Sequence, residues 1–241
     1  MSLAITLWAR EGIVMAADSR LTLNQKHPSM GDNPVVNLSV GQTDSTNKLF
    51  QPRDTRIGIS TVGAADVAGT PIGGYMQDFE NSLSEAQDLS VEQLAGKLLE
   101  HFRKLPGPPS VIFDVAGYSN VQEQLLQQVW EVSVAENGIT QMNVKYPQGA
   151  AWNGESDTMK RLLNPVWVKS GDDQYAQLPQ FEIPWGYFTL QDAVDFAIYA
   201  IRTTIDSMRF QLRPKTVGGP IDVLVIEPSK AYWVQRKTLH A

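Results

Sequence analysis

Gly12-Ile13-Val14-Met15-Ala16-Ala17-Asp18-Ser19-Arg20-Leu21-Thr22 is the stretch that decides the fold. Residues Ile13 to Asp18 are apolar at almost every position, with no alternation of apolar and polar side chains. A strand of that kind is buried on both faces, so the sheet that holds it must be covered on each side. It ends abruptly on an acid, a hydroxyl and a guanidinium, all within three residues. Just before it, Leu3 to Ala9 (LAITLWA) reads as a partner strand, with Arg10-Glu11-Gly12 as the turn between them.

Working outward, residues 23–47 are polar and rich in Asn, Ser, Pro and Gly, which reads as an excursion carrying at most a small hairpin. Lys48 to Gln51 and Arg56 to Thr61 read as the next strands. From Ala64 to about Leu83 the spacing becomes helical, with Pro71 and Gly73-Gly74 making the early part irregular. Ser90-Val91-Glu92-Gln93 is a capping-box start for a helix to about Leu105, stopped by Pro106-Gly107-Pro108-Pro109. Strands are expected over Ser110 to Tyr118, Gln127 to Ala135 and, after the turn Glu136-Asn137-Gly138, Ile139 to Val144. The region 154–187 is mixed, with a helical turn within Asp157 to Asn164. Thr189-Leu190-Gln191-Asp192 caps a long amphipathic helix to about Phe210. Ile221 to Ile226 and Ala231 to Arg236 close the chain as a strand pair. Strands, helices, strands, helices and strands in that order define an α+β class: two stacked antiparallel sheets between helical layers.

Composition narrows the functions available. The 241 residues, with 42% hydrophobic and 19% charged, suit one globular domain over 1–241 with a polar insertion at about 23–47. A net charge of −6 argues against nucleic acid or an anionic membrane surface as partner. The absence of cysteine removes disulfides, thiolate catalysis and cysteine-bound metals. The three histidines (His27, His101, His240) are far apart in sequence, and His101 falls on an amphipathic helix, so neither a metal site nor a His-based triad is expected. No cofactor is expected either. Nothing at the start reads as a targeting signal and no stretch is long enough to span a bilayer, so a cytoplasmic location is expected.

The chemistry lies at the front. Ser2 follows the initiator Met1, and a small second residue permits methionine removal. That would leave an amine and a hydroxyl on one residue at the start of a strand. A free α-amine, with a usual pKa of about 7.7–8.0, can act as base for the adjacent hydroxyl. A lysine such as Lys48 would depress the amine, an aspartate such as Asp18 would hold the lysine, and the N–H of Gly63 would receive an oxyanion. Taken singly, each has a plainer reading: a common start site, a surface ion pair, one exposed lysine, a tight turn. Their joint order and spacing argue for the chemistry.

That order resembles the β-type subunits of the proteasome family, the self-compartmentalised Ntn-hydrolases, and within them the bacterial branch called Anbu. Ser2 falls where the family has its N-terminal threonine. Gly12 to Thr22 matches the strand-and-turn motif without a gap, placing Asp18 and Arg20 at the conserved acid and arginine. Lys48 takes the catalytic lysine's position, and Gly63 within Thr61-Val62-Gly63-Ala64-Ala65-Asp66 that of the oxyanion glycine and the start of the first helix. Asp192 to Ile205 resembles the late helix, and Gly218-Gly219-Pro220-Ile221-Asp222-Val223 the strand motif after it. Asp206-Ser207-Met208-Arg209 ahead of that motif points to the Anbu branch.

The resemblance implies a four-layer αββα sandwich and cleavage of peptide or other amide bonds through an ester on Ser2. It implies substrate contacts from Leu21, Thr46, Phe50, Thr61 and Ala65, favouring a medium-sized neutral or apolar side chain. It also implies a homo-oligomeric ring or stacked spiral, with room for an ATPase partner. Two other functions remain open: an amidase acting on a small amide, and a non-catalytic scaffold or assembly subunit. The chain departs from the family where a late Asp and Ser are usual, having Pro214-Lys215-Thr216-Val217 instead. Asp206 and Ser207, upstream, are candidates to replace them if the helix ends differently. The family's serine-containing turn maps loosely onto Asn153-Gly154-Glu155-Ser156-Asp157.

Overall fold

The computed structural model describes residues 2–27, 36–53, 55–83 and 89–238. Strands β1 (Leu3–Trp8) and β2 (Ile13–Ala17) are buried at every residue, as their unbroken apolar runs require. β3 (Leu21–His27) and β4 (Val36–Thr43) pair as a two-stranded sheet, so the polar excursion carries strands of seven and eight residues. β5 (Leu49–Phe50) and β6 (Ile57–Gly63) follow.

The first helix departs from expectation. Residues after Gly63 form a small ladder, β7 (Asp66–Val67) with β8 (Thr70–Pro71), and α1 begins only at Ile72 (Ile72–Ser82). Ala68 and Gly69 take left-handed backbone angles (φ 50° and 82°), and the Asp66 carboxylate accepts the Gly69 N–H at 2.9 Å. That tight turn and Pro71 delay the helix, because proline has no N–H to give within a helix but is tolerated where one starts.

α2 (Val91–Arg103) starts on the expected capping box: Ser90 Oγ accepts from Gln93 N–H at 3.1 Å, and Gln93 Oε1 accepts from Ser90 N–H at 3.0 Å. Its buried face (Val91, Leu94, Ala95, Leu98, Phe102) has the 3–4 residue spacing of an amphipathic helix. Burial of side chains such as Leu98 and Phe102 contributes about 1.5–3 kcal/mol each. Then come β9 (Val111–Val121), β10 (Gln124–Ser133), β11 (Gly138–Gln141), β12 (Gly149–Gly154) and α3 (Asp157–Leu163). β13 (Trp167–Gly171) and β14 (Gln174–Gln177) pair as a ladder in the region read as mixed. α4 (Leu190–Arg209) carries the second capping box, with Asp192 N–H on Thr189 Oγ1 at 3.1 Å. β15 (Asp222–Ile226) and β16 (Ala231–Gln235) end the described chain.

Two five-stranded antiparallel sheets dominate, in the orders β12-β1-β2-β15-β16 and β11-β10-β9-β6-β5. Three apolar clusters hold them. One joins α4 to the first sheet, through Ala197, Ala200 and Ile201 against Ile5, Leu7 and Val14. A second joins α1 and α2 to the second sheet, through Met76, Phe79 and Leu98 against Phe113 and Val115. In the third, Ala4, Met15 and Leu224 of the first sheet meet Leu49, Val62 and Ala116 of the second. β12 was not expected. Gly149-Ala150-Ala151-Trp152-Asn153-Gly154 has little intrinsic strand preference, and it extends because it completes the ladder on the free edge of β1. Among the described residues, no helix is long and apolar enough to cross a membrane, and no group of three or more His, Cys, Asp or Glu is placed to hold a metal ion.

Candidate active site

Asp18 is the pivot. It follows the last residue of β2 and is 1% exposed, so its charge depends on donors rather than on water. Four donors reach it. Oδ1 accepts the Lys48 ammonium at 2.8 Å and the Leu3 N–H at 3.0 Å; Oδ2 accepts the N–H groups of Arg20 (3.1 Å) and Gly218 (3.0 Å). One carboxylate thus ties the lysine to the residue after Ser2, to its own turn and to a segment 200 positions away.

Lys48 is itself buried, and burial pushes its ammonium below the usual lysine range while Asp18 opposes the shift. Lys237, held by Asp222 on the neighbouring strand β15, adds a weaker lowering effect. A lysine held low yields a proton more readily than an exposed one. Ser2 is 8% exposed and is gripped through its own carbonyl, which accepts Glu155 N–H at 2.8 Å. The grip needs a glycine alongside: Gly154 has φ +93°, and a Cβ there would overlap the Ser2 carbonyl oxygen.

Ser2, Arg20, Lys48 and Gly63 line one cavity of about 260 Å³. Leu21, Thr46, Thr61 and Ala65 line it too. Asp18 lies behind Lys48, outside the lining. Phe50 is also outside the lining, packed against the cluster that joins α1 and α2 to the second sheet. Gly63 closes β6 with φ +112°, and a side chain there would overlap the carbonyl of Ser110. The glycine is therefore sterically required. Since α1 starts at Ile72, the Gly63 N–H lies at a strand end and not at a helix start, so no helix dipole stands behind it.

Arg20 braces the rim of the cavity. Its guanidinium forms a two-pronged pair with Asp44 (2.6 and 2.7 Å) and donates to the Lys215 carbonyl at 3.3 Å. The hydrogen bonds to Asp44 raise the arginine and lower the acid from their ordinary values. The guanidinium rests on Gly218, where any Cβ would collide with it.

Sequence reasoning missed a second charged group, anchored beside Ser2. Glu155, one residue past β12, accepts Thr216 Oγ1 at 3.4 Å and pairs with Arg213 at 3.3 Å. Arg213 also holds Asp157 at 3.0 and 3.3 Å. Burial raises Asp157, but Arg213 outweighs it and the carboxyl ends below its usual range. Asp206 and Ser207 do not take the late Asp and Ser positions. α4 runs through both to Arg209 and leaves Asp206 exposed, because its buried face is set by Ala197, Ala200, Ile201, Thr204 and Met208. The signal for Glu155 was its place in Asn153-Gly154-Glu155-Ser156-Asp157, but its role depends on β12, which local sequence does not announce. Met1 lies outside the described residues.

No protein-family model matches the chain, and no curated protein matches it. Solved structures do. The arrangement of two five-stranded antiparallel sheets with helices packed on them is a proteasome-like fold. A mutant of Anbu from Hyphomicrobium sp. strain MC1 is similar over 97% of this chain and 87% of its own, at a TM-score of 0.58 and 16% identity. At that identity the likeness is one of fold.

Proposed function

We propose that this chain is an Anbu-type Ntn-hydrolase, with a four-layer αββα fold, that cleaves amide bonds through Ser2 once Met1 has been removed. The observation that carries the reading is the buried Asp18–Lys48 pair, which also grips the Leu3 N–H and so registers the lysine against Ser2 in a shared cavity. In the first half-reaction the Ser2 α-amine takes the hydroxyl proton and Oγ attacks the carbonyl carbon. The oxyanion is received by the Gly63 N–H. Collapse breaks the C–N bond, and the leaving amine takes the proton from the Ser2 ammonium. Water, deprotonated by the same amine, then cleaves the ester and returns the proton to Oγ.

The cavity volume favours a small occupant. About 260 Å³ lies just under the range of whole-ligand pockets, so a single side chain or a small amide fits. This gives weight to the small-amidase reading. Exposed Trp167, Tyr175 and Phe181 support self-association into a ring or spiral, measurable by light scattering. A cytoplasmic location and an ATPase partner belong to the same proposal.

Intact-mass measurement of native protein, before and after an electrophilic probe for N-terminal hydroxyls, tests the catalytic reading. The expected result is loss of Met1 and one adduct on Ser2, abolished by Lys48→Ala. A protein that keeps Met1 and stays unmodified overturns it in favour of a non-catalytic scaffold subunit.

A further inference from the structure

A second cavity, of about 490 Å³, runs along β12, the edge strand of its sheet. Three indoles line it, on both sides of that edge: Trp8 of β1 on the face toward the second sheet, and Trp152 of β12 with Trp185 of the turn before α4 on the face toward α4. Glu131 and Asn153 supply polar lining. Trp8 is seated flat enough on Gly149 that a Cβ there would press on its ring, and its Nε1 donates to the Tyr146 carbonyl at 3.0 Å. That wall is therefore fixed and its donor already used.

Glu131 stands directly opposite Asp114 in the β9–β10 register, so the two carboxylates share one face of the sheet. Like charges in that relation destabilise a sheet. Asn153 bridges them, its Nδ2 donating to Asp114 Oδ1 at 2.8 Å and to Glu131 Oε2 at 3.0 Å. Both hydrogens of that amide are then used. Asp114 gains only neutral hydroxyls besides, from Thr6 (3.2 Å) and Ser60 (3.5 Å). Among the described residues, no lysine, arginine or histidine pairs with either acid. Burial, and then the charge of Glu131, push the Asp114 carboxyl up to about 6.

We propose that this cavity binds an organic cation, an amidinium, guanidinium or primary ammonium on an apolar stem, with Glu131 meeting the charge beside Trp8, and Trp152 and Trp185 packing the stem where it passes the edge of β12. Indole faces attract such cations, and the volume falls within the range of small-molecule pockets. The cavity runs along β12 from Gly149, opposite Trp8, to Asn153, opposite Ala4, and shares no lining residue with the cavity at Ser2. Its occupancy is thus read separately from any hydrolysis.

Benzamidine titrated into the full chain, followed by tryptophan fluorescence and calorimetry, tests the assignment against benzamide, its neutral twin. Saturable binding of benzamidine is expected, at least tenfold tighter than benzamide, and weakened at least tenfold by Glu131→Gln. Trp152→Ala, which removes a wall and leaves both acids, reads the same loss if Glu131→Gln folds poorly. Equal binding of benzamidine and benzamide, no saturation, or wild-type affinity in both variants overturns the proposal. Agmatine and acetyl-Gly-Arg-Gly-amide then compete with benzamidine. Displacement by agmatine assigns a free amine, displacement by the tripeptide assigns a basic side chain, and displacement by neither overturns the proposal.

Discussion

Asp18 and Asp114 are both aspartates at 1% exposure, yet their surroundings are opposite. Asp18 collects a lysine and three backbone N–H groups, each aimed at one of its two oxygens. Asp114 collects two hydroxyls, half of an amide and a neighbouring glutamate. A buried carboxylate is held as an anion by donors and driven toward its acid form by burial and like charge. The first environment assembles a buried ion pair beside the cavity at Ser2. The second leaves negative charge unspent beside a cavity.

The contrast breaks most severely at Asp18. Asp18→Ala strands the Lys48 ammonium and leaves the Leu3 and Gly218 N–H groups without a partner, and a loss of about 3–5 kcal/mol is expected for removing one member of a buried pair. Denaturant unfolding measures it, and a loss under 1 kcal/mol would show that water takes over the role of the carboxylate. Asp114→Asn tests the other side. The Asp114 carboxyl is raised from 3.8 to about 6, so its contribution is fully present below pH 3.8 and is lost as pH rises through 6. At 1.36 kcal/mol per pH unit, that slope is worth about 3 kcal/mol across the window, and the asparagine should remove it. Unfolding free energies at pH 4 and pH 7 give the comparison; an unchanged slope in the variant would place the titrating group elsewhere.

Gly63→Ala is expected to cost about 1–3 kcal/mol, from a left-handed φ and the overlap with Ser110. It should also suppress adduct formation on Ser2 more than Ala65→Gly does, which mass spectrometry resolves. The smallest effect belongs to the half-exposed rim. Arg20→Lys loses the two-pronged pair with Asp44, and screening holds the change to about 1 kcal/mol or less. Its melting temperature should fall slightly at low salt and not at high salt.

Much of this was open to reading along the chain, and the misses share a cause. The capping boxes at Ser90 and Thr189 were plain because a cap is a contact three residues long. The delayed start of α1 was not, because Ala68 adopts a left-handed turn that its side chain does not advertise. Phe50 was expected at the cavity, but it lies two residues beyond Lys48, opposite Ile59, and packs against the α1–α2 cluster instead. Arg213 and Thr216 carry no motif and Glu155 only a loose one; they meet because β12 docks on β1 and the chain returns after α4.

By itself the sequence determined the doubly buried strands of Leu3–Trp8 and Ile13–Ala17, the amphipathic helices, and the order in which Ser2, Asp18, Lys48 and Gly63 arrive. Those features are local: periodicity, caps and spacing act over a few residues. Tertiary structure alone decided that Asp18 would meet Gly218, that Glu155 would clasp the carbonyl of Ser2, and that Glu131 would face Asp114. Each of those pairings is fixed by strand register between distant segments, and a shift of one residue would turn the side chains to the other face.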